Sequence, residues 1–194
     1  AKEDFQRAIA LNHADPMPRL GLGLALIREG RLVAGREQIE IAVALDPANS
    51  VLRSYLGKAY YEENTTARDG LAASQYGLAK SLDPNDPTPW FYDAFLKQTQ
   101  NRPVEALEDL DASISRNDNR AVYRSQLLLD EDLAARSASQ ARIYSDLNFQ
   151  QLADLLKADL RLSSCDHRAH SPHLNSDALL PHLIADAQTR EHRG

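Results

Sequence analysis

The chain repeats itself. A small residue, a bulky residue four positions on, a small residue three later and a break five later recur along its 194 residues. The clearest copy is Ala72, Tyr76, Ala79 and Pro84. A second is Gly35, Ile39, Ala42 and Pro47. Looser copies are Ala1, Phe5, Ala8 and His13, and Ala106, Leu110, Ser113 and Asp118. The first slot falls at 1, 35, 72 and 106, in steps of 34, 37 and 34 residues. A fainter copy starts 47 residues later at Ala153 and continues with Lys157, Leu160 and Cys165. The intervening halves also correspond: Leu22-Gly23 with Leu26 parallels Leu56-Gly57 with Tyr60, followed by Trp90 and Ala94, then by Ala141 and Tyr144. A period of this length makes each copy one supersecondary unit. Such a unit cannot bury its apolar face alone, so the copies must stack.

Both halves read as helices, because apolar or small residues recur at three and four and none alternates at two. Each has the length of three to four turns. Gly30, Asn64, Asn101 and Asn148 stand where the first helix of successive copies should close, and both residue types accept the left-handed conformation there. Asp86-Pro87 predicts an N-cap with proline at the first helical position. Thr66 with Asp69 reads as a capping box. Asp46-Pro47 and Asp83-Pro84 should stop the second helices, since proline breaks the hydrogen-bond ladder.

This pattern resembles the tetratricopeptide repeat family. The residues that carry the resemblance are Leu22-Gly23/Leu26/Gly35/Ile39/Ala42/Pro47, Leu56-Gly57/Tyr60/Ala72/Tyr76/Ala79/Pro84 and Trp90/Ala106/Leu110. The resemblance implies an all-α, right-handed superhelical solenoid of antiparallel helix pairs. The array would occupy 1–165, as a half repeat at 1–15, repeats at 16–49, 50–86 and 87–120, and a degenerate repeat at 134–165. Three residues are inserted around Thr65–Gly70 and thirteen between Arg120 and Ala134, and Asp118 stands where a closing proline is expected. The first repeat lacks its first helix, so the chain looks like a piece of a longer array. Ala42, Ala79 and Ser113 should face Gly23, Gly57 and Ala94 where helices cross, with Ile39, Tyr76 and Leu110 filling gaps towards the neighbouring copy.

By the same resemblance, first helices line a concave groove. Its side chains would include Leu20, Leu24, Arg28, Ser54, Lys58, Tyr61, Phe91, Phe95 and Arg142. That set is apolar with a few cations and suits an amphipathic helix or an extended peptide carrying acidic groups. The bulky members serve equally as inter-helix core, which is the usual fate of such residues at helical spacing. Some members of the family clamp a terminal carboxylate with Lys, Asn and Arg side chains. Here only Lys58 fits such a clamp. The expected partner is another protein or peptide, and the expected role is a non-enzymatic scaffold without cofactor. The alternative is a non-catalytic segment of a larger bacterial enzyme or cell-envelope assembly protein.

Other classes find little support. The net charge of −6 gives no basic footprint for nucleic acid, and no run is long and apolar enough to span a membrane. One cysteine precludes an internal disulfide framework. Because the chain opens on Ala1, a missing leader says nothing about compartment. Gly21-Leu22-Gly23 lacks the strand and further glycine of a phosphate loop. Asp130-Glu131-Asp132 lacks the spacing of a calcium loop and reads as solvated charge or as a cap for a helix from Ala134. Asn64-Thr65-Thr66 matches a glycosylation acceptor only for a eukaryotic secreted chain. No catalytic set can be assembled from spacing. Residues 166–194 form a His-rich segment expected to be weakly ordered. Cys165, His167, His170 and His173 could offer metal ligands there, although the spacing matches no structural zinc pattern. A short helix near Ser176–Arg190 and a shifted reading frame beyond Leu160 are the other readings of this end.

Overall fold

The computed structural model describes residues 2–120 and 126–166; the readings made for 167–194, including the helix near Ser176–Arg190 and the histidine ligands, lie outside them. The described residues form helices joined by short turns, with no strand among them. They form α1 (Lys2–Leu11), α2 (Pro16–Arg28), α3 (Leu32–Leu45), α4 (Ser50–Glu62), α5 (Thr66–Leu82), α6 (Pro87–Thr99) and α7 (Pro103–Ser115). A 3-10 turn at Asn117–Arg120 follows, then α8 (Gln126–Asp146) and α9 (Gln150–Asp166). The chain divides into two compact units, Ala1–Leu129 and Asp130–Gly194. In the first, α2 pairs with α3, α4 with α5 and α6 with α7, and each pair then stacks on the next. This is the all-α helical-hairpin solenoid that the period requires.

The punctuation behaves as the residue types dictate. Gly30, Asn64, Asn101 and Asn148 all take positive φ, at 81°, 49°, 58° and 66°. Behind three of them the next amide reaches back to close the helix: Arg31 N donates to Leu26 O, Arg102 N to Lys97 O and Phe149 N to Tyr144 O, each at 2.9 Å. First helices start on a side-chain cap. Asp15 accepts from Met17 N, Asn49 from Leu52 N and Asp86 from Thr88 N. Asp46 and Asp83 terminate α3 and α5. Two local readings are corrected. Thr66 is the first helical residue of α5 rather than its cap; Thr65 holds the cap position and makes no side-chain capping bond. No helix starts at Ala134 for Asp130-Glu131-Asp132 to cap, because α8 begins at Gln126 and runs through 130–132.

The core of the first unit is built at the crossings inside each pair. A Cβ on Gly23 would lie 2.5 Å from Ile39 Cγ1 and 2.7 Å from the Gly35 carbonyl oxygen. A Cβ on Gly57 would lie 2.5 Å from the Tyr76 ring. The glycines therefore press on the bulky residue of their own pair. Ile39 and Tyr76 fill space within the hairpin, and both are sealed from water at 0% exposure. Ser113 donates from Oγ to Pro87 O at 2.8 Å, tying α7 to the start of α6. In the second unit, Ala141, Ile143 and Ala153 are buried, and the Tyr144 and Phe149 rings meet edge to face at the turn between α8 and α9.

Candidate functional site: the first-helix face

The three pairs place their first helices side by side. α4 rests directly against α6 and α2 touches α4, whereas α3, α5 and α7 do not pack on one another in this way. A stack whose first helices meet while its second helices stay apart is curved, with α2, α4 and α6 on the inside. Position 20 on α2 corresponds to 54 on α4 and 91 on α6, and position 24 to 58 and 95, so the face repeats in register.

Its residues divide by burial. Leu20, at 5% exposure, and Ser54, at 0%, are closed to solvent. Ser54 Oγ donates to Ser50 O at 2.9 Å within its own helix. These two belong to the core. Leu24 and Tyr61 are partly buried against that core, and Phe91 and Phe95 are likewise half-buried. Arg28 is exposed at the end of α2. Arg142 is exposed on α8, in the second unit.

An aromatic row joins α4 to α6. The Phe91 and Phe95 rings meet edge to face at 4.8 Å, Phe91 lies 5.6 Å from Tyr92, and Tyr92 lies 5.9 Å from Tyr55. Lys58 holds its ammonium 5.8 Å from the Tyr92 ring and is paired with Glu62 at 2.7 Å. Its charge is thus largely answered within α4, which makes the row more apolar than its composition implied. Tyr61 bonds to Thr99 of α6, and burial nevertheless pushes its phenol up. Tyr55 and Tyr92 escaped the sequence reading. The signal was present, because they are one residue beyond Ser54 and Phe91 and share their 37-residue step.

Behind this face run two polar clusters. Arg36 pairs with Glu40 at 2.7 Å and with Glu63 at 2.5 Å, and Arg68 reaches Glu63 at 2.9 Å. Tyr60 donates to Glu40 at 2.9 Å; burial first, and then that carboxylate, raise its pKa. In the third pair, Asp109 accepts from Lys97 at 2.6 Å and from Lys80 at 3.1 Å, while Lys80 also reaches Asp93 at 2.6 Å. Burial pushes Asp109 up against the pull of both lysines. Burial pushes Lys97 down, but Asp109 and Asp93 outweigh it and hold the ammonium above its ordinary value. Lys80 and Arg116 each lie over the Trp90 ring, at 4.2 and 4.7 Å from its centre. These clusters tie helices together. Among the described residues no group of His, Cys, Asp and Glu could hold a metal ion, and no helix is long and apolar enough to cross a membrane.

No protein-family model matches the chain, and no curated protein does. Solved structures do. A thermophilic tetratricopeptide protein of Thermus thermophilus, TTC0263, superposes with a TM-score of 0.68 at 18% identity, over 81% of this chain and 84% of that one. MamA of Desulfovibrio magneticus gives 0.61 at 11% identity, over 88% and 86%. The Yersinia enterocolitica type III secretion chaperone SycD, in complex with a peptide of the translocator YopD, gives 0.51 at 16% identity, over 66% and 91%. The repeat register, the helix pairing and these superpositions agree: the chain has the tetratricopeptide-type helical repeat fold.

Proposed function

We propose that this chain is a non-enzymatic scaffold that binds a polypeptide along the inner face of α2, α4 and α6. The observation that carries the reading is the aromatic row Tyr55, Tyr92, Phe91 and Phe95, half-buried and continuous across two helices. Rigid aromatic side chains with one face open are the usual anchors of a protein interface. Leu24 and Ile27 extend the apolar surface on α2, and Arg28 and Lys58 border it. An amphipathic helix or an extended apolar peptide suits this surface, with acidic groups at its edge rather than at its centre, because Lys58 is already paired with Glu62. A solved complex of the same fold, SycD with its YopD peptide, supports a peptide ligand for this architecture. The acidic balance of the chain favours protein over nucleic acid as the partner.

The test is capture from a lysate of the source organism on immobilised chain, run beside the Phe91→Ala/Phe95→Ala variant. The expected result is a partner retained by the parent and reduced at least tenfold by the variant, with helical circular dichroism preserved. Equal capture would remove the inner face from consideration. If the double variant loses helicity, Lys58→Ala, at a half-buried position bordering the row, replaces it with the same readout.

A further inference from the structure

An extended peptide laid along the inner face would find few polar partners. Ser54 Oγ is committed to Ser50 O and Thr99 Oγ1 to Leu96 O, each inside its own helix. Lys58 is held by Glu62, and Tyr61 bonds to Thr99. An extended chain brings an N–H and a C=O at every residue, and each one buried without a partner opposes binding. A helix closes those bonds within itself. The spacing agrees. Rings follow one another along the row at 5.9, 5.6 and 4.8 Å. Side chains at i, i+3 and i+4 of a helix stand about 5–6 Å apart, whereas those on one side of a strand stand about 7 Å apart.

Charge narrows the choice further. The chain is acidic overall, at −6, but its helices differ. Within α2 there are Arg19 and Arg28 and no carboxylate; within α7 there are Glu105, Glu108, Asp109 and Asp111 and no cation. Arg19 bonds to neutral Gln38, and Arg53 of α4 to Gln75 and to Pro47 O, so neither guanidinium is paired with an anion. Arg28 is exposed and pairs with no carboxylate among the described residues. We propose that the partner presents an acidic amphipathic α-helix to the inner face, which rests on that face being the binding surface. The apolar residues of this helix, at i, i+3 or i+4 and i+7, seat along Tyr55, Tyr92, Phe91 and Phe95. Its carboxylates lie on the flank towards α2, where opposed charge steers the encounter and fixes the register.

A synthetic helix-forming peptide with leucine at i, i+3, i+4 and i+7 and glutamate between is titrated into the full chain. Two further peptides are run beside it, one with a central proline and one with lysine for each glutamate. Saturable binding of the glutamate peptide is expected. It should be at least tenfold weaker for the proline peptide, whose helix is broken, and for the lysine peptide at low salt. Both comparisons use the unaltered chain, so its fold is not in question. Equal affinity of the glutamate and proline peptides overturns the helix. Equal affinity of the glutamate and lysine peptides overturns the charge, and absence of binding at millimolar peptide overturns both. In each case, lysate capture that still depends on Phe91 and Phe95 leaves the inner face standing as the binding surface, and capture that does not removes it. Binding of the glutamate peptide that survives Phe91→Ala/Phe95→Ala places the helix elsewhere and overturns the proposal as well.

Discussion

The α2–α3 and α6–α7 pairs occupy the same place in the first and third repeats and are held by different chemistry. In α2–α3 two backbones touch. A Cβ on Gly35 would lie 2.6 Å from the Gly23 carbonyl oxygen, just as one on Gly23 would approach Gly35. In α6–α7 the corresponding residues are Ala94 and Ala106, both buried, and the helices are joined by Asp109, Lys97 and the Lys80 of the preceding helix. At one shared register the first pair carries Arg19 with Gln38, the second Arg53 with Gln75 and the third Trp90 with Asp109. The difference teaches that the repeat prescribes distance and pairing but not polarity. Where the crossing is narrowest only glycine fits; where it is wider, charge can be placed behind the apolar seam.

Substitutions at these places should separate the two modes. Gly23→Leu should have the largest effect. Its side chain meets the Gly35 backbone, which cannot swing aside, so a loss of about 3 kcal/mol or more is expected in urea unfolding. A milder loss would show that the pair can slide apart. Asp109→Ala comes next, at about 2 kcal/mol. It leaves two partly buried ammonium groups with Asp93 alone, and their residual exposure keeps the cost below that of a fully buried pair. An unchanged unfolding midpoint would make the cluster incidental.

Lys97 gives a pH signature. Its folded pKa is raised above 10.5, so its contribution is fully present below that value and is lost as pH rises through the folded pKa. Lys97→Met should therefore lose less of its melting temperature than the parent between about pH 10 and 12. Tyr60, Tyr61 and Tyr76, all pushed up by burial, add an alkaline loss common to both proteins. The smallest effect belongs to the middle pair. Tyr76 Oη is buried without a hydrogen-bond partner among the described residues, so Tyr76→Phe should be neutral or stabilise by up to about 1 kcal/mol in thermal melting. A clear destabilisation would reveal a polar partner for the phenol.

Much of this architecture is legible in the sequence, because punctuation and period are local. Gly30, Asn64, Asn101 and Asn148 mark helix ends by a conformation that few other residues accept. Asp86 announces its cap. What a period does not give is the rotation of each helix to within one residue. Neighbouring positions on a helix differ by about 100°, so Ser54 turns into the core while Tyr55 meets Tyr92 across the groove. For the same reason Leu20 is lost to the core and Tyr92 is gained. The contact of Gly23 with Ile39 depends on how two helices cross, which the sequence of either helix does not encode by itself. The start of α8 at Gln126 lay hidden because the inserted segment breaks the register that located every earlier helix.

The face that receives a partner can be read directly. A photo-crosslinking residue placed at Phe95, on the inner face, and separately at Leu78, exposed on the second helix α5, reads this directly with the captured partner. Crosslinks from position 95 and none from 78 are expected. Crosslinks from 78 alone would show that the outer helices do the binding and contradict the account.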